Sequence, residues 1–291
     1  RLPRAPSAAE DGGLAARARQ LVQAAELEER GEPGFHGLLM QTVCGLVDRQ
    51  FGEGSASKLE RVRPLVESFG YDTSLTTDVP GKGQRRLINY VKGLEPEQPF
   101  HDPADFPWCG TLAAHAADIR RELREHKHLS SEWVSAPPGT WGTMDAPEWR
   151  ALGLVQGGEW VMEGSFPETR AILNSLPGLF PDEAMFARMP PATRIGPHSD
   201  NMNFLLVAHL GLEVEEAACT LHVGTSSQSW CEGKVLVFDH TYVHSAANES
   251  RRDRDVLICR FWHPGLSAEE RYALQLLIQI MSAMQRLASQ A

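Results

Sequence analysis

The chain has 291 residues, of which 42% are hydrophobic and 23% charged, the balance of a soluble folded protein that is long enough to bury a full core. Its formal charge of −10 offers no cationic field to a phosphate backbone, which argues against nucleic acid as a partner. The most apolar stretch, residues 272–284, is interrupted by Gln275 and Gln279, so no membrane span is expected.

Five cysteines, Cys44, Cys109, Cys219, Cys231 and Cys259, are scattered without a CxxC pair. An odd, dispersed set speaks against a disulfide framework and for a soluble, intracellular chain in a reducing compartment. Because the first residue is Arg1 rather than methionine, a removed targeting segment is compatible with this expectation.

After a lead-in at residues 1–12, apolar residues recur at helical spacing in "LAARARQLVQAAELEER", "FHGLLMQTVCGLVDRQFG" and "ASKLERVRPLVESFG". The last two segments end at glycines suited to a helix C-terminus. These predict a helical N-terminal region over 1–88, whose role composition does not specify. A polar connector, "YDTSLTTDVPGKGQ", precedes the proline-rich and aromatic stretch 90–110, which reads as extended, and "TLAAHAADIRRELREH" (111–126) reads as one helix. Residues 129–165 hold four of the seven tryptophans among glycines and prolines, as at a sheet edge with long loops. "FPETRAILNSL" is a further helical piece.

From 184 to 263 the texture changes to short apolar runs separated by turn signals: "AMFARM", "NFLLVAHLGLEV", "CTLHVG", "KVLVFDHTYVHSA" and "DVLICRFWHP". Such spacing predicts an antiparallel sandwich or small barrel. "SAEERYALQLLIQIMSAMQRLASQ" closes the chain as a helix, with Ser267 and Glu270 spaced as a capping box. Residues 89–291, this helix included, are therefore read as one catalytic domain.

Within the strand region, His198 and Asp200 lie two apart and so point the same way from a strand. A third metal ligand would come from a neighbouring strand, where "FDHTYVHSAANES" offers His240 and His244. Two imidazoles and one carboxylate on one face suit a non-haem Fe(II) oxygenase, and zinc-assisted hydrolysis is the competing use. Arg254, ten residues beyond His244, can return beside the metal and grip an acidic co-substrate in bidentate fashion. His209, deep in an apolar run, then has a rationale as a second donor to that acid. The alternative assignments are a turn residue for Asp200, a solvated charge run for Arg254 and a satisfied core imidazole for His209.

With "GLEPEQPFHDPADFPW", "PH" at 197–198, "HLGL" at 209–212, "WCEGKVLVFD" at 230–239, the His244 to Arg254 interval and "WHPGL" at 262–266, the chain resembles the aspartyl/asparaginyl β-hydroxylase family of Fe(II)- and 2-oxoglutarate-dependent dioxygenases. The resemblance implies a double-stranded β-helix, a jelly roll of the cupin kind, with flanking helices. It implies iron held by His198 and His244, and 2-oxoglutarate held by Arg254 and His209. It also implies oxidative decarboxylation of the keto acid with dioxygen, coupled to oxidation of a substrate C–H bond.

Four positions depart from the family pattern. Asp200 stands where the peptide-hydroxylating members have glycine, so a carboxylate joins the two histidines here. Ala187 replaces a serine that helps to hold the co-substrate, and Leu205 and Val207 replace arginines that would receive an acidic side chain. The expectation is thus a dioxygenase with His198, Asp200 and His244 on iron and a small-molecule or amino-acid-derived substrate. A peptide substrate is the alternative, and a metal-dependent hydrolase or isomerase, or a non-catalytic cupin-like binding module, is the alternative of another class. Oligomeric state is left open.

Overall fold

A computed structural model describes residues 34–67, 76–79, 84–87, 90–95, 97–126, 132–135, 149–156, 159–200 and 202–288, with positions 16–17, 20–21 and 24. The helix expected over 14–30 falls largely outside the described residues. The chain divides into two compact units, residues 1–75, 88–95 and 264–291 in the first and residues 76–87 and 96–263 in the second.

In the first unit, α1 (Phe35–Phe51) buries Phe35, Leu39, Val43 and Val47, a spacing of four that lines one face of a helix. It ends at Gly52, whose φ of 103° favours glycine and whose N–H returns to the Asp48 carbonyl. Of the segment 56–70, expected as one helix, the described part forms instead a 3₁₀ turn (Ser55–Leu59) and a short α2 (Arg63–Glu67), and 68–70 lie outside the described residues. Pro64 accounts for the break, because it has no N–H to give and its ring collides with the carbonyl of a preceding turn.

The C-terminal helix (Ala268–Ala288) packs on α1 and belongs to this unit rather than to the sheet-bearing one in which the sequence places it. Its buried stripe is Ala273, Leu274, Leu277 and Ile280. The helix opens with the reciprocal capping box: Ser267 N–H donates to Glu270 Oε2 at 2.8 Å, and Glu270 N–H donates to Ser267 Oγ at 3.1 Å. Arg61 also donates to both oxygens of Glu270, at 2.8 and 2.7 Å. No described helix is long and apolar enough to cross a membrane.

The second unit contains, in chain order, β1 (Thr76–Val79), β2 (Gln84–Leu87), β3 (Phe100–His101), α3 (Pro107–Ala114), α4 (Ala116–Glu125), β4 (Val134–Ser135), β5 (Arg150–Gln156), β6 (Glu159–Trp160), α5 (Pro167–Ser175), β7 (Leu179–Met189), β8 (Thr193–His198), β9 (Leu205–Glu213), β10 (Cys219–Val223), β11 (Ser226–Ser229), β12 (Val235–Phe238), β13 (His244–Asn248) and β14 (Arg254–Trp262). The stretch read as a polar connector contains β1 and turns back into β2, forming a hairpin. The helix expected over 111–126 is two helices, broken at His115.

Among the described residues all strand pairings are antiparallel. The larger sheet runs β3-β12-β9-β14-β7-β5-β4, with β6 on β5, and the smaller runs β11-β10-β13-β8. Between the two sheets lies an apolar layer that includes Trp149, Met189, Leu221, Trp230, Phe238 and Val256. The outer face of the larger sheet carries α3, α4 and α5 over a second layer of Trp108, Leu112, Ile119, Leu173, Phe186 and Phe261. This is the expected jelly roll, mainly β with flanking helices.

Candidate functional site

Strand alternation places the site. On β9, Leu206, Ala208, Leu210 and Leu212 join the helix-covered layer, so Val207 and His209 face the opposite sheet and line a cavity of about 100 Å³. On β14, Leu257, Cys259 and Phe261 take the helix side, leaving Arg254, Ile258 and Arg260 to the cavity. One pair of central strands thus builds the core with one face and the site with the other.

His198 ends β8 and His244 begins β13, and the two are direct cross-strand partners with ring centres 4.1 Å apart. One donor atom from each, together with one from Asp200, all lie within 4.8 Å of one another. His198 Nδ1 lies 2.9 Å from the Gly196 carbonyl and His244 Nδ1 lies 2.9 Å from the Tyr242 carbonyl. A carbonyl can only accept, so each Nδ1 carries a proton, and in the neutral ring Nε2 is the nitrogen with the lone pair. Burial, reinforced by the neighbouring charge of His198, pulls His244 down to about 4, which keeps its ring neutral near neutrality. Burial opposes ionisation of Asp200, but the hydrogen bond from His240 and the charges of His240 and Arg260 outweigh it, leaving the carboxyl below the usual range. The backbone N–H of Asp200 donates to the His240 carbonyl at 2.9 Å, which fixes the turn that carries the carboxylate.

Arg254 is 2% exposed. Burial lowers its pKa to about 10, so it remains a cation at neutral pH. It makes no ion pair with a carboxylate among the described residues. Its guanidinium lies 4.4 Å from the ring centre of Trp230, and the Trp230 plane is nearly parallel to His209, at 10° and 5.9 Å. A desolvated cation–π contact is worth about 2 kcal/mol, against a desolvation penalty of several kcal/mol for the ion. The cavity therefore keeps an unspent positive charge. His209 is buried; burial first, then the Arg254 charge, holds it well below the usual histidine value and hence neutral. Its Nδ1 has no hydrogen-bond partner among the described residues.

All five residues singled out from the sequence, His198, Asp200, His209, His244 and Arg254, line this one cavity. Sequence reasoning missed three others. Trp230 is the platform under Arg254, and Arg260 and Glu183 form an ion pair at 2.9 Å beside Asp200. Arg260 was open to detection, since it stands six residues after Arg254 on one strand and must share its face. His240, weighed against His244 as a ligand, instead bonds Asp200 Oδ2 through Nδ1 at 2.8 Å and the Met202 carbonyl through Nε2 at 2.7 Å. Of the departures, Ala187 is buried between the sheets, Leu205 is buried and Val207 is a cavity wall.

A family model for aspartyl/asparaginyl β-hydroxylases matches residues 113–264, more than half of the chain. The chain belongs to the aspartyl/asparaginyl β-hydroxylase family. Among its relatives, the ornithine lipid ester-linked acyl 2-hydroxylase of Rhizobium tropici is 31% identical over 226 residues, covering 75% of this chain and 76% of that protein. The human aspartyl/asparaginyl β-hydroxylase is 30% identical over 133 residues, 44% of this chain and 17% of that protein. Human aspartate β-hydroxylase domain-containing protein 2 is 33% identical over 151 residues, 48% of this chain and 40% of that protein. The chain thus spans less than a fifth of the human β-hydroxylase it matches. A crystal structure of a Pseudomonas putida prolyl-4-hydroxylase is similar over 57% of this chain and 94% of that one, at 17% identity and a TM-score of 0.37, values too low to bear on the chemistry of this family member.

Proposed function

We propose that this chain is an Fe(II)- and 2-oxoglutarate-dependent dioxygenase that hydroxylates, or otherwise oxidises, an unactivated C–H bond of a small molecule or amino-acid-derived substrate. The observation that carries the reading is Arg254, a buried cation without a carboxylate among the described residues, in the same cavity as two histidines and an aspartate whose donor atoms converge. A hydrolase or a binding module using the same histidines would have no need of it. Two imidazole nitrogens and one carboxylate oxygen, with other positions open, fit Fe(II). A buried guanidinium beside a neutral imidazole fits a carboxylate of the keto acid. When bound, iron supplies the activation of dioxygen by which 2-oxoglutarate becomes succinate and carbon dioxide and a C–H bond is oxidised.

The chain's own residues would divide the work. His198 and His244 present Nε2 lone pairs held in place by their Nδ1 bonds, Asp200 adds one negative charge, and Arg254 orients the keto acid from the facing sheet. Trp149, Met185, Ile195, Val207, Leu221 and Ile258 supply an apolar wall that excludes water. Leu205 and Val207 offer no cation, and Arg260 is engaged by Glu183, which counts against an acidic peptide side chain. The wall suits an aliphatic carbon. A second reading, the acyl chain of a lipid, is favoured by the Rhizobium tropici relative, which aligns over three quarters of both chains.

Anaerobic titration with Fe(II) and 2-oxoglutarate tests the reading. The wild-type protein is expected to develop a visible charge-transfer band, and His244→Ala and Arg254→Ala to lose or weaken it. A band unchanged in both variants would refute the assignment.

A further inference from the structure

The carboxylate that distinguishes this chain from the peptide-hydroxylating pattern has its two oxygens treated unequally. Oδ2 of Asp200 is 2.8 Å from His240 Nδ1 and 3.4 Å from Arg260 Nη2. Among the described residues nothing bonds Oδ1. Both neighbours are themselves held. His240 is 1% exposed, and its other nitrogen donates to the Met202 carbonyl at 2.7 Å. Arg260 comes from β14, and its Nε is anchored by Glu183 Oε2 of β7 at 2.9 Å. We propose that His240 and Arg260 are positioning residues of the metal centre: by holding Oδ2 from two directions they turn Oδ1 toward His198 and His244, so that Asp200 offers the metal a single oxygen.

The inference rests on the reading that Asp200 is a ligand and adds to it a specific tether, Glu183 to Arg260 to Asp200, with His240 as the second brace. A carboxylate free to rotate presents either oxygen or both and must be ordered on each binding event. One already clamped through Oδ2 is aligned before the ion arrives.

Metal affinity, not turnover, reads this out. Protein stripped with chelator is titrated with Mn(II), and the free ion is followed by electron paramagnetic resonance. Arg260→Met and His240→Phe are each expected to weaken binding roughly 10- to 100-fold, with Arg260→Lys in between. Asp200→Gly should weaken it comparably. In the Asp200→Gly background, Arg260→Met should add less than about twofold, since the two act through one oxygen. Should Arg260→Met be poorly folded, Glu183→Gln keeps the shape and loosens the tether, and a weakening of about threefold or more is expected. Wild-type affinity in Arg260→Met and His240→Phe, or an equal loss in both backgrounds, overturns the inference while leaving the dioxygenase reading intact. Failure of the wild-type chain to bind metal, or indifference to His244→Ala, overturns both.

Discussion

At the scale of single residues the site is a set of compromises about charge. Arg254 is buried more deeply than a free cation tolerates, and the face of Trp230 offsets only part of that cost. Arg254→Lys should therefore keep the charge but lose the planar two-point contact. The loss of a charged hydrogen bond, about 1.5–3 kcal/mol, predicts roughly a 10- to 100-fold rise in the 2-oxoglutarate Kd by calorimetry. From the sequence, strand parity paired His198 with Asp200 and the family resemblance pointed to His244, Arg254 and His209, and the fold brings all five to one cavity from two facing sheets. Trp230 and Glu183 were not legible there, and His240, read as a loop residue or one behind the ligands, was legible only without its partners. Each acts on a residue 24 or more positions away, through a strand register that no local pattern encodes. Two histidines four apart look alike on paper, whereas the fold gives one a lone pair to present and the other two oxygens to hold.

At the scale of elements, the strands rich in apolar residues were readable and the others were not. β11, "SSQS", is exposed along its whole length, and β8, "TRIGPH", alternates without a buried stripe. Both rest on hydrogen bonds to β10 and β13 rather than on burial. The "HLGL" motif acquires a physical meaning here. A Cβ on Gly211 would sit 2.3 Å from the Cys231 carbonyl oxygen, because β9 pairs there with the turn into β12. Gly211→Ala is expected to cost about 1–3 kcal/mol, read as a fall in thermal midpoint. The cap of the C-terminal helix gives a pH signature. Burial opposes ionisation of Glu270, but the Arg61 and Ser267 hydrogen bonds outweigh it and lower its pKa from 4.5. A depressed carboxylate contributes stability that is full above about 4.5 and is lost as pH falls through the lowered value. Glu270→Gln should flatten the dependence of the first unit's stability on pH below about 5 and cost roughly 2 kcal/mol at pH 7.

At the scale of the molecule, the sandwich and its helices followed from run lengths and turn spacing, but the allegiance of the last helix did not. Its apolar stripe fits a sheet or a helix equally well, and only packing on α1 decides. The cavity is shared across layers: His198 and His244 belong to the smaller sheet, His209 and Arg254 to the larger. Metal and keto acid together should then tie the layers. Each at 100 times its Kd is expected to add about 2.7 kcal/mol, or roughly 5–10 °C by calorimetry. Arg254→Ala should abolish the increment from the acid and retain that from the metal.

The two-sided character of β7, β9 and β14 has an evolutionary reading. Because neighbouring positions serve different masters, amino acids at 185, 207 and 258 can be exchanged for others of similar bulk while the helical layer behind them is undisturbed. A lineage could try new substrates by drifting at every second residue, and a laboratory library confined to those three positions would follow the same route.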